Sequence, residues 1–379
     1  MDFLQLETVI GQYAGTAAPA MQLAVSKDGK LVFSKDFGYL DPESRRQPTG
    51  LETRFDMASV TKLFTTTAFM CLVETGVVSL DTHVSDILPE FSGQRDIRPY
   101  EDPVQRGGQV DVSDGVTGMV DAGSINFYQL LTHSSGLPAW RLLEDQPDAD
   151  AARRMVLETF FSYEPGTRLV YSDIGLILTG MAIERIHGQA LDAAVHELVL
   201  EPLNLQQTGY FRVGDQFPPG WVENAAPTEF CRWRKRRIRG EVHDENAWRL
   251  GGVAGHAGIF STALDTLALG QMYLGEGAAL LKRETVREMT RIQVEYQGVR
   301  KGIGFALWSP DPESISHPFS QQAFGHTGFT GTSLWMDPQR SLVVALLTNE
   351  VYNGRENRRI QEMRMAVHRA VLQAVSAGG

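Results

Sequence analysis

Apolar residues recur at the spacing of an α-helix in several stretches of the chain. At the start, one apolar stripe predicts a short amphipathic helix that carries Phe3, Leu6, Ile10 and Tyr13. A second apolar pattern begins after Ser59 and ends at Gly76, a residue type that often follows the last turn of a helix. Further helical patterns cover residues 126–136, 151–162, 174–200, 263–274 and 360–374. The middle of the chain is therefore predicted to be rich in helices.

Strand-like segments lie at the two ends of the chain. Residues 21–26 and 31–39 flank the pair Asp28-Gly29, which is typical of a tight hairpin turn. Residues 332–336 and 342–347 flank a second turn of sequence Asp-Pro-Gln-Arg. These patterns predict an antiparallel sheet built from both ends of the chain and covered by helices.

This order of elements predicts an α+β fold with two domains. A sheet domain with flanking helices is formed by residues 1–57 and 252–379, and a helix-rich domain by residues 58–251. Residues 92–123 are polar and without periodicity, so we interpret them as a long surface insertion that could border an active site. Residues 206–250 form a second predicted insertion.

Composition excludes several classes of partner. The chain has 379 residues, 42% hydrophobic and 21% charged, which is ordinary for a globular protein. Its net charge of −11 argues against nucleic acid or an anionic membrane as a general partner. No apolar run approaches the ~20 residues that a membrane-spanning helix needs.

The start of the chain and its cysteines bear on its compartment. Asp2 and Glu7 stand where a secretory signal would have a basic start followed by an apolar core, so we expect a cytoplasmic protein. A periplasmic or secreted location is the alternative if a leader has been removed. The only cysteines are Cys71 and Cys231, which we expect to be buried thiols rather than a disulfide framework or a metal site.

Ser59 and Lys62 form the first candidate for chemistry. Three residues are about one helical turn, so the hydroxyl and the amine project from the same face of the predicted helix. Serine becomes a nucleophile when a neighbouring amine, held neutral in a partly desolvated pocket, takes its proton. A serine three residues before a lysine also arises by chance, so the pair needs support from other motifs.

Two more motifs follow in order along the chain. Tyr171 lies in the sequence Tyr-Ser-Asp, and a phenol near a lysine can pass a proton from the serine to a leaving group. The sequence His326-Thr327-Gly328 opens a strand-like run whose backbone can offer an N–H group to an oxyanion. Taken singly, a packing tyrosine and a glycine-rich turn are the simpler interpretations.

As an ordered set, Ser-x-x-Lys, Tyr-x-Asp and His-Thr-Gly resembles the serine beta-lactamase and penicillin-binding protein superfamily, in particular its class C-like branch of esterases and D-peptidases. The stretches 130–138, 164–167 and 325–331 also match that branch, and residues 240–247 with 251–262 resemble a subgroup of cell-wall-type hydrolases. The resemblance spans nearly the whole chain. It implies a beta-lactamase/transpeptidase-like fold with the active site between a sheet domain and a helical domain.

The resemblance also implies a role for each motif residue. Ser59 would form the acyl-enzyme, Lys62 would deprotonate it, and Tyr171 would shuttle protons and help to activate the hydrolytic water. The backbone N–H groups of Ser59 and Phe329 would form the oxyanion hole. The remaining substrate-binding residues would be His326, Thr327, Gly328 and Asp173.

Two residues depart from the usual pattern of the superfamily. His326 replaces a lysine, so a substrate carboxylate would lose a fixed cationic partner, because an unperturbed histidine is largely neutral near pH 7. Asp173 replaces an asparagine; if it lies close to Lys62, it favours the ammonium form and opposes base function unless Tyr171 takes that role. Both departures disfavour beta-lactamase activity and leave acyl transfer possible.

Other polar clusters have simpler interpretations than catalysis. Residues 232–239 hold six cations, interpreted first as a salt-bridged surface and second as a docking surface for an acidic substrate. The spacing of His243, Asp244, Glu245 and His256 fits no common zinc pattern, so we expect these residues to hydrogen-bond a loop beside the site. His133 beside Ser134 and Ser135 is interpreted as a loop anchor.

We therefore predict a serine hydrolase that cleaves ester or amide bonds through an acyl-Ser59 intermediate, with no metal and no other cofactor. Esterase and D-peptidase activities are close alternatives, and an uncharged His326 favours the esterase. A beta-lactamase and a non-catalytic binding or scaffold protein with the same fold are further alternatives. The expected partner is a small ester, peptide or beta-lactam, and the sequence predicts no particular oligomeric state.

Overall fold

A central antiparallel sheet organises the structure, a computed structural model that describes residues 3–103, 107–111, 118–275, 277, 280–356 and 358–376. The strands of the described residues, in chain order, are β1 Ala20–Lys27, β2 Lys30–Gly38, β3 Phe55–Asp56, β4 Gln94–Asp96, β5 Tyr100–Glu101, β6 Gln109–Val110, β7 Met119–Asp121, β8 Gly209–Tyr210, β9 Phe230–Cys231, β10 Arg236–Arg237, β11 Ile259–Ser261, β12 Val294–Tyr296, β13 Val299–Lys301, β14 Ala306–Leu307, β15 Phe324–Thr327, β16 Ser333–Asp337 and β17 Leu342–Thr348. Eight of these form the large sheet, in the order β12-β13-β14-β15-β16-β17-β1-β2.

The two ends of the chain meet in this sheet, next to its edge strand β2. Strand β1 pairs antiparallel with β2 on one side and with β17 on the other. The β1–β2 turn places Asp28 at φ 53° and Gly29 at φ 73°, the left-handed conformations that a two-residue hairpin turn needs. The predicted assembly of the sheet from both chain ends is therefore present.

The helices cover the sheet and form a second layer beside it. In chain order they are α1 Leu4–Tyr13, α2 Thr61–Glu74, α3 Val84–Ile87, α4 Phe127–Leu131, α5 Ala149–Leu157, α6 Asp173–His187, α7 Leu191–Val195, α8 Glu245–Arg249, α9 Ala263–Leu274, α10 Arg283–Thr290 and α11 Ile360–Ser376. No described helix is both long and apolar enough to cross a membrane. Cys71 and Cys231 are buried thiols.

Strand β17 is apolar on both faces because each face has its own core. Leu342, Val344 and Leu346 pack into the cluster that contains α1 and α11. Their neighbours Val343, Ala345 and Leu347 pack into the larger cluster that contains α2, α6 and α9. Successive side chains of a strand point to opposite faces, so a strand between two layers is a continuous apolar run. The fold is thus mixed helix and antiparallel sheet, as predicted.

One predicted helix is shorter than its pattern suggested. The Asn126–Gln129 capping box forms as expected, but α4 ends at Leu131 rather than near Gly136. His133 has φ 59°, which breaks the helix and turns the following residues toward the active site. The apolar pattern continues past this point because the turn itself is buried.

Part of the predicted 92–123 insertion is described, and it contains two small ladders, β4 with β7 and β5 with β6. Residues 104–106 and 112–117 of that prediction lie outside the described residues. The division into domains at residues 57 and 251 remains a prediction.

Candidate active site

Ser59 lies in a 3₁₀ turn, Ala58–Val60, that leads directly into α2. Ala58 has φ 44°, a strained conformation for a residue with a side chain, of the order of 1–3 kcal/mol. The buried carboxylate of Asp56 holds this turn, because one of its oxygens accepts the Ala58 N–H at 2.8 Å. Its other oxygen accepts the His243 N–H at 2.6 Å. The nucleophile turn is therefore fixed from outside the helix.

Lys62 lies one helical turn further on and is 1% exposed. Its Nζ donates to Ser59 Oγ at 2.8 Å and to the carbonyl of His256 at 3.1 Å. Its third neighbour is Asp173, whose Oδ1 is 2.7 Å away. The structure thus brings together the serine, the lysine and the acidic residue of the Tyr-x-Asp motif.

The Asp173 carboxylate decides the charge of Lys62. Burial by itself would lower the pKa of Lys62, but the ion pair with Asp173, helped by Tyr171, outweighs burial and raises it above its ordinary value. The protein therefore holds an ammonium at Lys62, the consequence that the Asp173 replacement implied.

Tyr171 completes the group around the serine. Burial raises the pKa of its phenol, and this outweighs the opposing effects of the Lys62 charge and of hydrogen bonds with Lys62 and Ser59. Lys62 Nζ is 4.9 Å from the centroid of the Tyr171 ring. The phenol is therefore neutral at rest and within reach of both other groups, which suits a proton shuttle.

Two histidines lie against Tyr171, with ring centroids 4.7 Å away for His133 and 5.9 Å for His326. Burial and the charges of Lys301 and Lys62 hold the pKa of both well below the ordinary value, so both are neutral. His133 Nδ1 accepts the Ser172 N–H at 3.1 Å, which leaves its proton on Nε2. His326 Nδ1 donates to the Thr327 carbonyl at 2.8 Å, which leaves Nε2 as an acceptor.

The loop after β15 is docked on the segment that precedes Ser59. Thr330 Oγ1 donates to the Asp56 carbonyl at 2.6 Å, and Thr332 Oγ1 to the Met57 carbonyl at 3.0 Å. A Cβ atom at Gly328 would lie 2.4 Å from the Met57 carbonyl oxygen, so only glycine fits there. The segments that carry the Ser59 and Phe329 N–H groups are therefore tied together. Their use as an oxyanion hole remains a prediction.

The side chain of Phe329 is 45% exposed. It stacks on His243, with ring centroids 5.7 Å apart, and the guanidinium of Arg358 lies 4.4 Å from its centroid. Arg358 also donates to the Phe329 carbonyl. Phe329 thus forms part of a supported rim around the site.

The polar residues near 243–256 form two hydrogen-bonded pairs. His243 Nε2 donates to Glu229 at 2.8 Å, and His256 Nε2 donates to Asp244 at 3.0 Å. Asp244 also caps α8 by accepting the Ala247 N–H. The described residues contain no group of three or more metal-ligating side chains. These pairs support the loop whose carbonyl, at His256, accepts from Lys62.

Most arginines of the basic run 232–239 form hydrogen bonds or ion pairs within the protein. Arg234 donates to the carbonyls of Val242 and His243, and Arg237 donates to those of Thr228 and Tyr352. Arg236 pairs with Glu241, and Arg239 donates to Ala225 and Glu223 carbonyls. These contacts favour the structural interpretation, because the guanidinium groups satisfy backbone carbonyls of irregular segments.

Sequence reasoning missed two residues that shape the site. Asp56 holds the Ser59 turn, and Lys301 lies with its Nζ 5.2 Å from the Tyr171 ring centroid. His133, interpreted from the sequence as a loop anchor, also packs on Tyr171. Lys301 belongs to the short strand β13, where nothing in the local pattern distinguishes it from a surface lysine. Only the fold brings it to the site.

The sequence model of the beta-lactamase family matches residues 6–367. The chain belongs to the beta-lactamase family. An N-acetylmuramyl-L-alanine amidase of Bacillus subtilis (strain 168) is 30% identical, over 91% of this chain and 80% of its own length. A "Putative D-alanyl-D-alanine carboxypeptidase" of Escherichia coli (strain K12) is 28% identical, over 92% of this chain and 82% of its own length.

A solved structure shares the fold. The structure of EstCE1, a hydrolase with promiscuous acyltransferase activity, has a TM-score of 0.70 and 22% identity, and the match covers 95% of this chain and 97% of that one. The protein is therefore a beta-lactamase-fold member of a serine hydrolase family, as the motifs indicated.

Proposed function

We propose that this beta-lactamase family protein hydrolyses ester or amide bonds through an acyl-Ser59 intermediate. The observation that carries the proposal is the contact between Lys62 Nζ and Ser59 Oγ at 2.8 Å, with the centroid of the Tyr171 ring 4.9 Å from the same Nζ. Such a group can take the proton of a serine as it attacks a carbonyl carbon.

Acylation begins from an ammonium at Lys62 and a neutral phenol at Tyr171. Ser59 can attack only after the Lys62–Tyr171 pair has released one proton to bulk water, because neither member can otherwise accept the serine proton. As the bond from Ser59 Oγ to the carbonyl carbon forms, the pair takes the serine proton. Tyr171 then passes this proton to the departing oxygen or nitrogen, and the acyl-enzyme remains.

Deacylation reverses the proton path. A water molecule attacks the acyl carbonyl, the Lys62–Tyr171 pair takes its proton, and the bond to Ser59 Oγ breaks as that oxygen regains a proton. The Ser59 and Phe329 N–H groups are the proposed donors to the oxyanion of both steps.

Amide substrates of the cell-wall peptide kind are our first choice of substrate, because two relatives that span most of this chain carry the names amidase and carboxypeptidase. A small ester is the second candidate. It is favoured by the neutral His326 in the position where a fixed cation would otherwise bind a carboxylate.

The proposal is tested by labelling with an uncharged fluorophosphonate. Wild type should be labelled at Ser59, and Ser59→Ala should not be labelled. Ser134→Ala provides the matched control, because Ser134 is buried beside the same site but bonds to Thr132. Equal labelling of wild type and Ser59→Ala would remove Ser59 from the mechanism, and no labelling of wild type would favour a binding protein.

A further inference from the structure

Lys301 is a second buried lysine at the proposed active site. Its side chain is 8% exposed, and its Nζ lies 5.2 Å from the centroid of the Tyr171 ring. The charge of Lys301 lowers the pKa of both His133 and His326, and the charge of Lys62 lowers the pKa of Lys301. The amine therefore faces the same space as the proposed catalytic groups.

No ion pair joins Lys301 to an acidic side chain in the part of the chain that the structure describes. Its strand neighbour Arg300 pairs with Glu295, and the acidic residue of the site, Asp173, pairs with Lys62. A buried charge without a partner is costly, so an anionic group of a ligand would stabilise the ammonium form of Lys301.

Lys62 and Asp173 pair with each other, and His133 and His326 are neutral. Among the residues that the structure describes, none supplies a negative charge to Lys301. We propose that Lys301 binds a carboxylate of the substrate, and so supplies the cation that His326 does not provide.

The phenol of Tyr171 does not supply the negative charge that would pair with Lys301. Burial raises the pKa of Tyr171, and this outweighs the opposing charge of Lys62, so the phenol is neutral. Lys301 instead lies against the ring. Its charge is thus left available for a ligand beside the phenol.

The position of Lys301 also says which part of the substrate carries the carboxylate. Tyr171 is the group that passes a proton to the leaving group, and Lys301 lies on its ring. The carboxylate should therefore belong to the leaving group, close to the bond that breaks. This inference rests on the proposed acyl-Ser59 mechanism and narrows its substrate class.

The test uses two phenylacetate esters that differ in one group, one releasing 3-hydroxybenzoic acid and the other 3-hydroxybenzamide. A charge-assisted contact predicts that wild type prefers the carboxylate ester by roughly 10–100-fold in kcat/KM. Lys301→Gln should reduce this preference to within about threefold, and Lys301→Arg should keep part of it. Arg300→Gln, which removes the neighbouring cation that pairs with Glu295, should keep all of it.

Three outcomes would overturn the inference: no preference in wild type, an undiminished preference in Lys301→Gln, or an equal loss for both esters. The last would mean that Lys301 acts on the oxyanion rather than on the substrate. Labelling of Ser59 by the uncharged fluorophosphonate reports the nucleophile separately, so failure of the proposed function gives a different result.

A measurement on wild type covers the case in which the variants do not fold. Burial and Lys62 lower the pKa of Lys301 to about 8. Other groups face the same space, namely Lys62, Tyr171, His133 and His326. Their titration affects kcat/KM for both esters and therefore cancels in the ratio. The ratio of the two kcat/KM values should therefore fall as the pH rises through about 8, and a constant ratio would contradict the inference.

Discussion

Two lysines at one site show how a partner decides the state of a buried amine. Lys62 on α2 and Lys301 on β13 are both at least nine-tenths buried, and both lie against the ring of Tyr171. Burial lowers the pKa of each amine, but Asp173 overrides this for Lys62 and raises it. Lys301 pairs with no acidic side chain among the described residues, and its pKa falls to about 8.

The difference agrees with the different roles that we propose for the two amines. Lys62 Nζ lies within 3 Å of Ser59 Oγ and of Asp173, where it can exchange a proton with the proposed nucleophile. Lys301 is held near the site by the sheet, where its charge can attract the proposed substrate carboxylate.

The largest effect should come from removing the paired lysine. Lys62→Met should lower kcat/KM for any ester by roughly 10²–10⁴-fold, because the proton of Ser59 loses its acceptor. Lys62→Arg should not restore activity, since a guanidinium does not release its proton. The check is turnover of the 3-hydroxybenzamide ester, on which Lys301→Met should lose far less. Equal losses of kcat/KM in Lys62→Met and Lys301→Met would contradict the different roles proposed for the two lysines.

The second-largest effect should come from removing the charge of Asp173, the acidic partner of Lys62. Asp173→Asn removes the charge that raises the pKa of Lys62, so the pKa should fall and the amine should be neutral at lower pH. The rising limb of the rate of fluorophosphonate labelling against pH should move down by about 1–3 pH units. Asp192→Asn, at an acid that pairs with Arg212, is the control and should leave the limb in place.

A third effect concerns the free energy of unfolding, to which the two lysines contribute with opposite signs. At pH 7 the buried ammonium of Lys301 opposes folding, so Lys301→Met should raise the free energy of unfolding by about 1–3 kcal/mol. Between pH 8 and the higher pKa of the unfolded chain, the folded protein loses this proton first, so wild type gains stability and the difference shrinks. Urea unfolding of both proteins at pH 7 and at higher pH measures this.

For Lys62 the dependence of folding stability on pH has the opposite sign. Its raised pKa contributes stability below the pKa of the unfolded chain, and this contribution is lost as the pH rises through the folded value. If Lys301→Met were less stable than wild type at pH 7, the amine would have a partner that the comparison overlooks.

The smallest effect should come from a third lysine that is neither buried nor near the site. Lys235 lies in the basic run and is exposed, with φ 55°. Lys235→Gln should change kcat/KM for either ester by less than about twofold, because exposed charges are screened by solvent. A larger loss confined to the carboxylate ester would instead favour the run as a docking surface.

Local pattern was sufficient for much of the fold. The hairpin at Asp28-Gly29, the capping box at Asn126 and the helix after Ser59 each depend on neighbouring residues, and each is present. The end of α4 was not predictable in this way. Its apolar pattern continues through His133, whose left-handed backbone depends on the buried contacts of the turn.

By itself, the sequence determined the motif residues and their order, because Ser59 and Lys62 are one helical turn apart wherever a helix forms. It also indicated that an aspartate near Lys62 would change the charge of the amine. Only the tertiary structure decided that Asp173 lies 2.7 Å from Lys62 and that Lys301 lies 5.2 Å from the centroid of the Tyr171 ring. The reason is physical: the charge of a buried group depends on desolvation and on neighbours from distant segments, and neither is encoded in local spacing.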